Sequence, residues 1–378
     1  MKKIVHITTV HPPFDTRIFR NECVSLAKAG YEVYLICPHN KSEIVEGVSI
    51  IRIIKYNGMY ERLFTAPKMA IDECLKIQAD LYHFHDPELL FYFARFANKF
   101  HKNVVWDAHE NYEETIGGFN SLKIRPLSNL VARIFGKAEM RFGKTLFRGV
   151  VTVNEIMASR YRKHGVNVAE VGNFSNIENL NYPYPEKNTE NVIFISSGFQ
   201  FKERGIVEIA KAFNNFPSSS KVALRYSGRF KSDEMRDDVI SQLNPMNLAR
   251  TFFKNEISWE ELVLKEIPSS HVGFVLFDVS DLNNRNGLPN RFFECWSNGL
   301  PVITTDGTEV SRIVKEENGG IVIKSNTPED IFEAMQYFID NKDQIQIMGL
   351  NGRRAVERKY SWQSAFANLS RFYSNILG

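Results

Sequence analysis

Gly287-Leu288-Pro289-Asn290-Arg291-Phe292-Phe293-Glu294-Cys295-Trp296-Ser297-Asn298-Gly299-Leu300-Pro301-Val302-Ile303 reads as loop, helix and strand in immediate succession. Gly287 and Pro289 interrupt regular structure. Asn290 is a suitable N-cap for a short helix that runs to about Ser297 and stops at Asn298-Gly299. Leu300 to Thr304 is apolar and β-branched, as in a buried strand. A loop feeding a helix leaves free N–H groups and a positive dipole end near Asn290, which suits a phosphate. Glu294 lies one turn further on, on the face of Asn290, where a carboxylate can accept bonds from sugar hydroxyls. The same local pattern fits an ordinary connector with a solvent-facing Glu294.

The rest of the chain supports an α/β protein of more than one domain. Its 378 residues suffice for two cores. With 43% hydrophobic and 24% charged residues the composition is that of a globular protein, and a net charge of +3 gives no argument for nucleic acid. Cys23, Cys37, Cys74 and Cys295 are scattered without metal-ligand spacing, which fits a reducing, cytoplasmic setting. Met1-Lys2-Lys3 leads straight into a strand-like run with no signal-peptide pattern, and no apolar run reaches membrane-spanning length.

Lys3 to Val10 is expected as a buried strand. Asp15 then caps a helix from about Thr16 to Ala29, and Tyr31 to Cys37 forms the next strand. This opens a parallel sheet, but the first loop lacks G-x-G-x-x-G, so a nicotinamide enzyme is disfavoured. Arg17 on this helix is a candidate to face a ligand, or to form a surface ion pair. The strands at Ala79–Phe84 and Asn103–Trp106 are followed by His85-Asp86-Pro87 and Asp107-Ala108-His109-Glu110. Both histidine clusters therefore fall at the carboxyl ends of strands, where parallel sheets bind ligands.

Leu127, Val131, Ile134, Phe135, Ala138 and Phe142 make an apolar stripe at helical spacing. Beside it runs a basic stripe of Arg133, Lys137, Arg141, Lys144 and Arg148, with Glu139 as its single acid. Such a stripe is either a solvated face or a surface for anionic lipid headgroups. Gly172 to Asn191 loses all periodicity and reads as a linker. A second α/β series follows, with strands at Val192–Ser197, Lys221–Ser227 and His271–Phe277. Its first loop, Gly198-Phe199-Gln200-Phe201-Lys202-Glu203-Arg204-Gly205, carries cations suited to phosphate.

The stretch from Leu288 to Ile303 resembles "LPNKxFEYxAxGxPVI" of the retaining glycosyltransferases of family 4. "HPPFDT" followed by Arg17, "DAHE", the loop at 198–205 and the ending "RRAVERKYSWQSAFANLSRFYSNIL" are similar to segments of that family, in the same order. The resemblance implies the GT-B fold, with two Rossmann-like domains facing a central cleft. It places an acceptor domain at residues 1–172, a donor domain at 190–360, and a final helix at about 361–378 that packs back on the first domain. It implies a nucleotide-diphosphate sugar donor, UDP- or GDP-linked, a glycan or lipid-linked acceptor, retention of configuration, and no metal or other cofactor.

By the same resemblance His109, Arg204 and Glu294 are catalytic. Gly198, Lys202, Asn286, Gly287, Leu288, Pro289 and Asn290 hold the donor, and Arg17, His85 and Asp86 lie on the acceptor side. Two positions depart from the family pattern. Phe199 stands where an arginine of "GRxxxxKG" is frequent, and Asn286 stands in place of the first glutamate flanking "GFGLxxx". These departures keep a non-catalytic binding partner open beside the transferase, as the shared architecture does for a nucleotide-sugar epimerase.

Overall fold

A computed structural model describes residues 1–56, 58–118, 125–174, 176 and 188–378. The chain divides into two compact units, Met1–Asn173 with Trp362–Gly378, and Phe174–Ser361. Most of the linker expected at 172–191 lies outside the described residues.

The first unit is built on eight strands: β1 (Lys3–Ile7), β2 (Glu32–Pro38), β3 (Glu43–Val45), β4 (Val48–Ile53), β5 (Leu81–Phe84), β6 (Val104–Ala108), β7 (Gly149–Thr152) and β8 (Val168–Glu170). Their order is β3-β4-β2-β1-β5-β6-β7-β8. Every pairing is parallel except β3 with β4. β1, β5 and β6 are buried almost throughout, as expected for a sheet covered on both faces. Tyr82, Phe84, Phe93, Phe96 and Trp106 form the centre of this core. The closing helix Trp362–Leu377 belongs to this unit, and its Trp362 indole donates to Ser25 Oγ at 2.8 Å.

The second unit holds β9 (Val192–Ser197), β10 (Val222–Ser227), β11 (Thr251–Lys254), β12 (Val272–Val275), β13 (Val302–Thr305) and β14 (Gly320–Ile323). They form a parallel sheet in the order β11-β10-β9-β12-β13-β14. In each unit the winding direction reverses at one place, between β1 and β5 and between β9 and β12. The crevice beyond the carboxyl ends at such a switch point is where open α/β sheets bind ligands.

Several local expectations change. β1 ends at Ile7 rather than Val10, because Thr8 and Thr9 turn away to bond Asp86. The first helix is capped by Asp15 as read, but Thr16–Cys23 is wound as a π-helix before Val24–Lys28 continues as α. Asp107 and Ala108 belong to β6 instead of following it.

The basic helix spans Arg125–Thr145. Phe135 is buried and Ala138 and Phe142 are half-buried, but Val131 and Ile134 are 43% and 53% exposed, so the expected apolar stripe is only partly core. The Leu127 side chain lies outside the described residues. Glu139 is not part of the charged face. It is fully buried and accepts from Trp106 Nε1 and Tyr161 Oη.

Candidate functional site

At the switch point of the second unit, the loop after β9 carries Gly198 at φ +81°. A side chain on the neighbouring Gly228 would meet the Gly198 carbonyl oxygen at 1.9 Å, so the two backbones approach as only glycine allows. Arg204 lies on the short 3₁₀ turn Lys202–Arg204 and folds back over this loop. Its Nη1 donates to the Phe199 carbonyl at 2.6 Å, and its guanidinium stands 4.3 Å from the centre of the Phe201 ring. Burial pushes its pKa down to about 10, against the pull of Glu294. It therefore remains a cation at neutral pH. Lys202 is exposed, and so is the ring of Phe199.

The loop after β12 contains the helix Leu282–Asn286, capped by the Asp281 side chain. Asn286 ends it, and Gly287 leads to buried Leu288 and half-buried Pro289. A Cβ on Gly287 would meet the Asn283 carbonyl at 2.7 Å, so the turn is closely packed. The helix Asn290–Ser297 follows. Asn290 is not its cap: Pro289 occupies that position with extended backbone, and no side chain caps the first turn. This leaves the first N–H groups of the helix without a side-chain acceptor there.

Glu294 does not face solvent. It is 6% exposed, and Trp259 Nε1 donates to its Oε1 at 3.0 Å. Burial raises its pKa, opposed by the Trp259 bond and by Arg204 and Arg291. Arg291 is also buried and donates to the Leu276 carbonyl at 2.7 Å, while its Nε has no hydrogen-bond partner. Sequence reading missed Arg291 and Trp259. A cation beside Asn290 in "LPNRFFE" was the available signal for Arg291. Trp259 lies far away in sequence and carried none.

In the first unit, the residues expected on the acceptor side are largely interior. Arg17 is neither a cleft-facing ligand nor a surface ion pair. It is 8% exposed, its Nε and Nη2 bond both oxygens of Asp107 at 3.0 and 3.1 Å, and its Nη1 bonds the Val171 carbonyl and Asn173. Its Nε is also 3.3 Å from Glu22 Oε1. In an α-helix residues five apart point roughly 140° away from each other. The π-turn, with its i to i+5 bonding, brings Arg17 and Glu22 together.

His85 is fully buried, with Nδ1 3.1 Å from Asp107 Oδ2. Asp86 is 2% exposed and anchors Thr8 and Thr9, so it fixes the first loop rather than an outer edge. His109 keeps a 13% exposed side chain. Its Nε2 lies 3.1 Å from the Tyr112 hydroxyl, and its buried Nδ1 has no hydrogen-bond partner. Burial alone would raise the Asp107 pKa, but Arg17, His109 and His85 hold it well below the usual carboxylate range.

Residues 16–174 match the profile of Glycosyltransferase Family 4, and residues 238–371 match that of a glycosyl transferase-like domain. The chain thus carries a Glycosyltransferase Family 4 domain followed by a glycosyl transferase-like domain, and its two units are Rossmann-like, of the GT-B type. Among individual proteins it is similar to the capsular polysaccharide biosynthesis glycosyltransferase CapM of Staphylococcus aureus, 33% identical over 95 residues. That match spans 25% of this chain and 25% of CapM. Its fold is similar to that of sucrose-phosphate synthase from Thermosynechococcus elongatus, at 16% identity and a TM-score of 0.76 over 100% of this chain and 99% of that one. It is also similar to Anabaena HepE in complex with UDP-glucose, at 10% identity and a TM-score of 0.72 over 99% of this chain and 100% of that one. At these identities the likeness to the two structures is one of fold. No helix among the described residues is long and apolar enough to cross a membrane.

Proposed function

We propose that the chain moves a hexosyl or N-acetylhexosaminyl group, with retention, from a nucleotide-diphosphate sugar to a glycan or lipid-linked acceptor in polysaccharide synthesis. The observation that carries this reading is the convergence in the second unit of Arg204, the uncapped start of the helix Asn290–Ser297, and Glu294. A diphosphate needs fixed positive charge as it departs, and Arg204 with the helix N–H groups supplies it without a metal. Lys202 is the exposed reserve cation of the same loop. Glu294, held by Trp259, is placed to accept from hydroxyls of the donor. The binding of UDP-glucose by HepE supports a UDP-linked donor. His109, with Tyr112 on Nε2, Asp107 3.7 Å from Nδ1 and part of its side chain exposed, is the group in the first unit best able to exchange a bond with substrate.

We also propose that the helix Arg125–Thr145 meets an anionic membrane surface. Leu130, Val131 and Ile134 are exposed on the first half of this helix, and Arg133, Lys137, Arg141 and Lys144 are exposed on or just beyond it. Exposed apolar residues beside cations are the composition of an interfacial helix.

A second reading, a binding protein without turnover, draws on the engagement of Arg204 by the Phe199 carbonyl and the Phe201 ring. The deciding experiment incubates the purified chain with UDP- and GDP-sugars, with and without lipid-linked acceptors, and follows products by chromatography, which separates epimers of equal mass, coupled to mass spectrometry. Transfer from one donor supports the proposal. Donor binding with no transfer or hydrolysis across the panel rejects it in favour of the second reading, and conversion of donor without acceptor indicates an epimerase.

A further inference from the structure

His6, Glu22, His83 and His85 each bring one nitrogen or carboxylate oxygen into one cluster, the four atoms lying within 4.8 Å of one another in the interior of the first unit. They come from β1, the π-helix and the end of β5, and all four residues have no exposed surface. From this geometry we propose a buried zinc(II) site with His6 Nδ1, Glu22 Oε2, His83 Nε2 and His85 Nε2 as ligands.

Three of the six separations between ligand atoms lie near the tetrahedral value, and the His83 nitrogen, within 4.8 Å of the other three, closes in as the ion binds. His6 Nδ1 lies 3.0 Å from His85 Nε2 and 3.4 Å from Glu22 Oε2, and His85 Nε2 lies 3.8 Å from the same oxygen. Zinc bonded at ordinary lengths sets neighbouring ligand atoms about 3.3 Å apart. Three imidazoles and one carboxylate are a zinc donor set, and four protein ligands leave no open position, as in a structural site.

The hydrogen bonds around the cluster orient its ligands. Glu22 Oε1 faces Arg17, which leaves Oε2 for the ion, and neither oxygen has a hydrogen-bond partner. His85 Nδ1 is 3.1 Å from Asp107, the arrangement in which a carboxylate aligns a metal-binding imidazole. His83 Nδ1 and His6 Nε2 both point at the Tyr373 hydroxyl oxygen, at 2.5 and 3.3 Å. With these outer nitrogens protonated and donating, the inner nitrogen of each ring presents a lone pair to the cluster. His83 Nε2, the fourth ligand, otherwise has no hydrogen-bond partner.

A zinc ion at this point would link β1, the π-helix and β5, while Tyr373 joins them to the closing helix.

The test uses the full chain, expressed with zinc and purified through a tag without histidine. Plasma mass spectrometry after dialysis against EDTA should find about one zinc per chain. Growth on cobalt should give the intense visible absorption of a tetrahedral site. Tyr373→Phe, which removes the acceptor shared by two ligands, should weaken zinc binding about 10- to 100-fold in competition with a chromophoric chelator. Glu22→Gln should weaken it further and remove the tetrahedral cobalt spectrum. If Glu22→Gln does not fold, the wild-type metal content and Tyr373→Phe still decide. A wild-type chain that holds no zinc when zinc is supplied overturns the proposal. Equal zinc affinity in all three proteins overturns it as well, since the ion then sits elsewhere.

Discussion

Trp259 holds Glu294 from outside its own helix, its indole Nε1 donating to Glu294 Oε1 at 3.0 Å. One carboxylate oxygen is thus committed to positioning, and the side chain reaches a donor from a fixed orientation. Trp259→Phe removes this bond and little else from the carboxylate. A hydrogen bond to a charged group contributes about 1.5–3 kcal/mol, so donor affinity should fall at least about 10-fold. Glu294→Ala should cost more in affinity or turnover, together with a loss of thermal stability, since the residue is buried. Isothermal titration with the preferred donor measures both. Unchanged affinity in both variants would remove Glu294 from the donor site.

Arg17 offers a test of the first unit. Truncating it to methionine leaves Asp107 and Glu22 buried without their guanidinium. Breaking a buried pair from one side typically destabilises by about 3–5 kcal/mol. Urea denaturation of Arg17→Met should show that loss, and Arg17→Lys should recover only part of it, because an ammonium cannot grip Asp107 with two parallel bonds. A variant within about 0.5 kcal/mol of wild type would show that the cluster carries no net stability.

The contrast between these two sites explains what could be read from sequence. The alternation of strands and helices, the loops at 198–205 and 287–290 and the helix from Asn290 depend on neighbours in the chain, and each was legible. The environment of Arg17 was not. It depends on a π-turn, for which no local residue preference was apparent, and on Asp107, ninety residues away. For the same reason the solvent-facing alternative for Glu294 could not be dismissed: its partner Trp259 is thirty-five residues distant. Helical periodicity also overestimated the buried stripe of Arg125–Thr145, since Val131 and Ile134 repeat at the right spacing yet remain exposed. The reading of Asn290 as a cap failed because Pro289, with its fixed φ and extended backbone, takes that position.

Asp15 makes acid stability measurable. Burial alone would raise its pKa, but the bond to His11 and the N–H groups of Ile18 and Arg17 lower it from 3.8 to about 2. A depressed carboxyl pKa stabilises the fold above the unfolded value, and that stability disappears as pH falls through the folded value. The window therefore runs from about pH 5 down to about pH 1, and the term is roughly 2 kcal/mol. Asp15→Asn keeps the N-cap but removes the charge. Its stability should fall less steeply than wild type over the accessible part of this window, from pH 5 to 3. Parallel curves would show that Asp15 is not depressed.

The basic helix predicts salt-dependent lipid binding. The chain should sediment with anionic vesicles at low salt and be released at high salt, each well-placed cation adding about 1 kcal/mol. Reversing Arg133, Lys137 and Arg141 to glutamate should abolish sedimentation without unfolding, since all three are exposed. Equal binding to neutral vesicles, or none to either, would identify the stripe as a solvated face.

Arg204 tests the transfer chemistry most directly. One of its N–H groups is engaged by the Phe199 carbonyl and its plane rests on Phe201, so the guanidinium is held before any donor arrives. A diphosphate gains negative charge as its bond to the sugar breaks. A preorganised cation beside it stabilises the transition state more than the bound donor, and only that difference raises turnover. Arg204→Ala should therefore lower turnover by about 100- to 1,000-fold while weakening donor binding less. Arg204→Lys should restore much of the activity, since a point charge still reaches phosphate, but not all of it, because lysine lacks the planar fork that now fixes the side chain. Phe201→Leu removes the platform and keeps the charge, so its loss should be smaller than that of Arg204→Ala. Steady-state kinetics and donor affinity for the three variants, with circular dichroism as the folding control, separate these outcomes. If Arg204→Ala transfers sugar at the wild-type rate, the leaving diphosphate is stabilised elsewhere, and the bond to Phe199 marks a structural arginine.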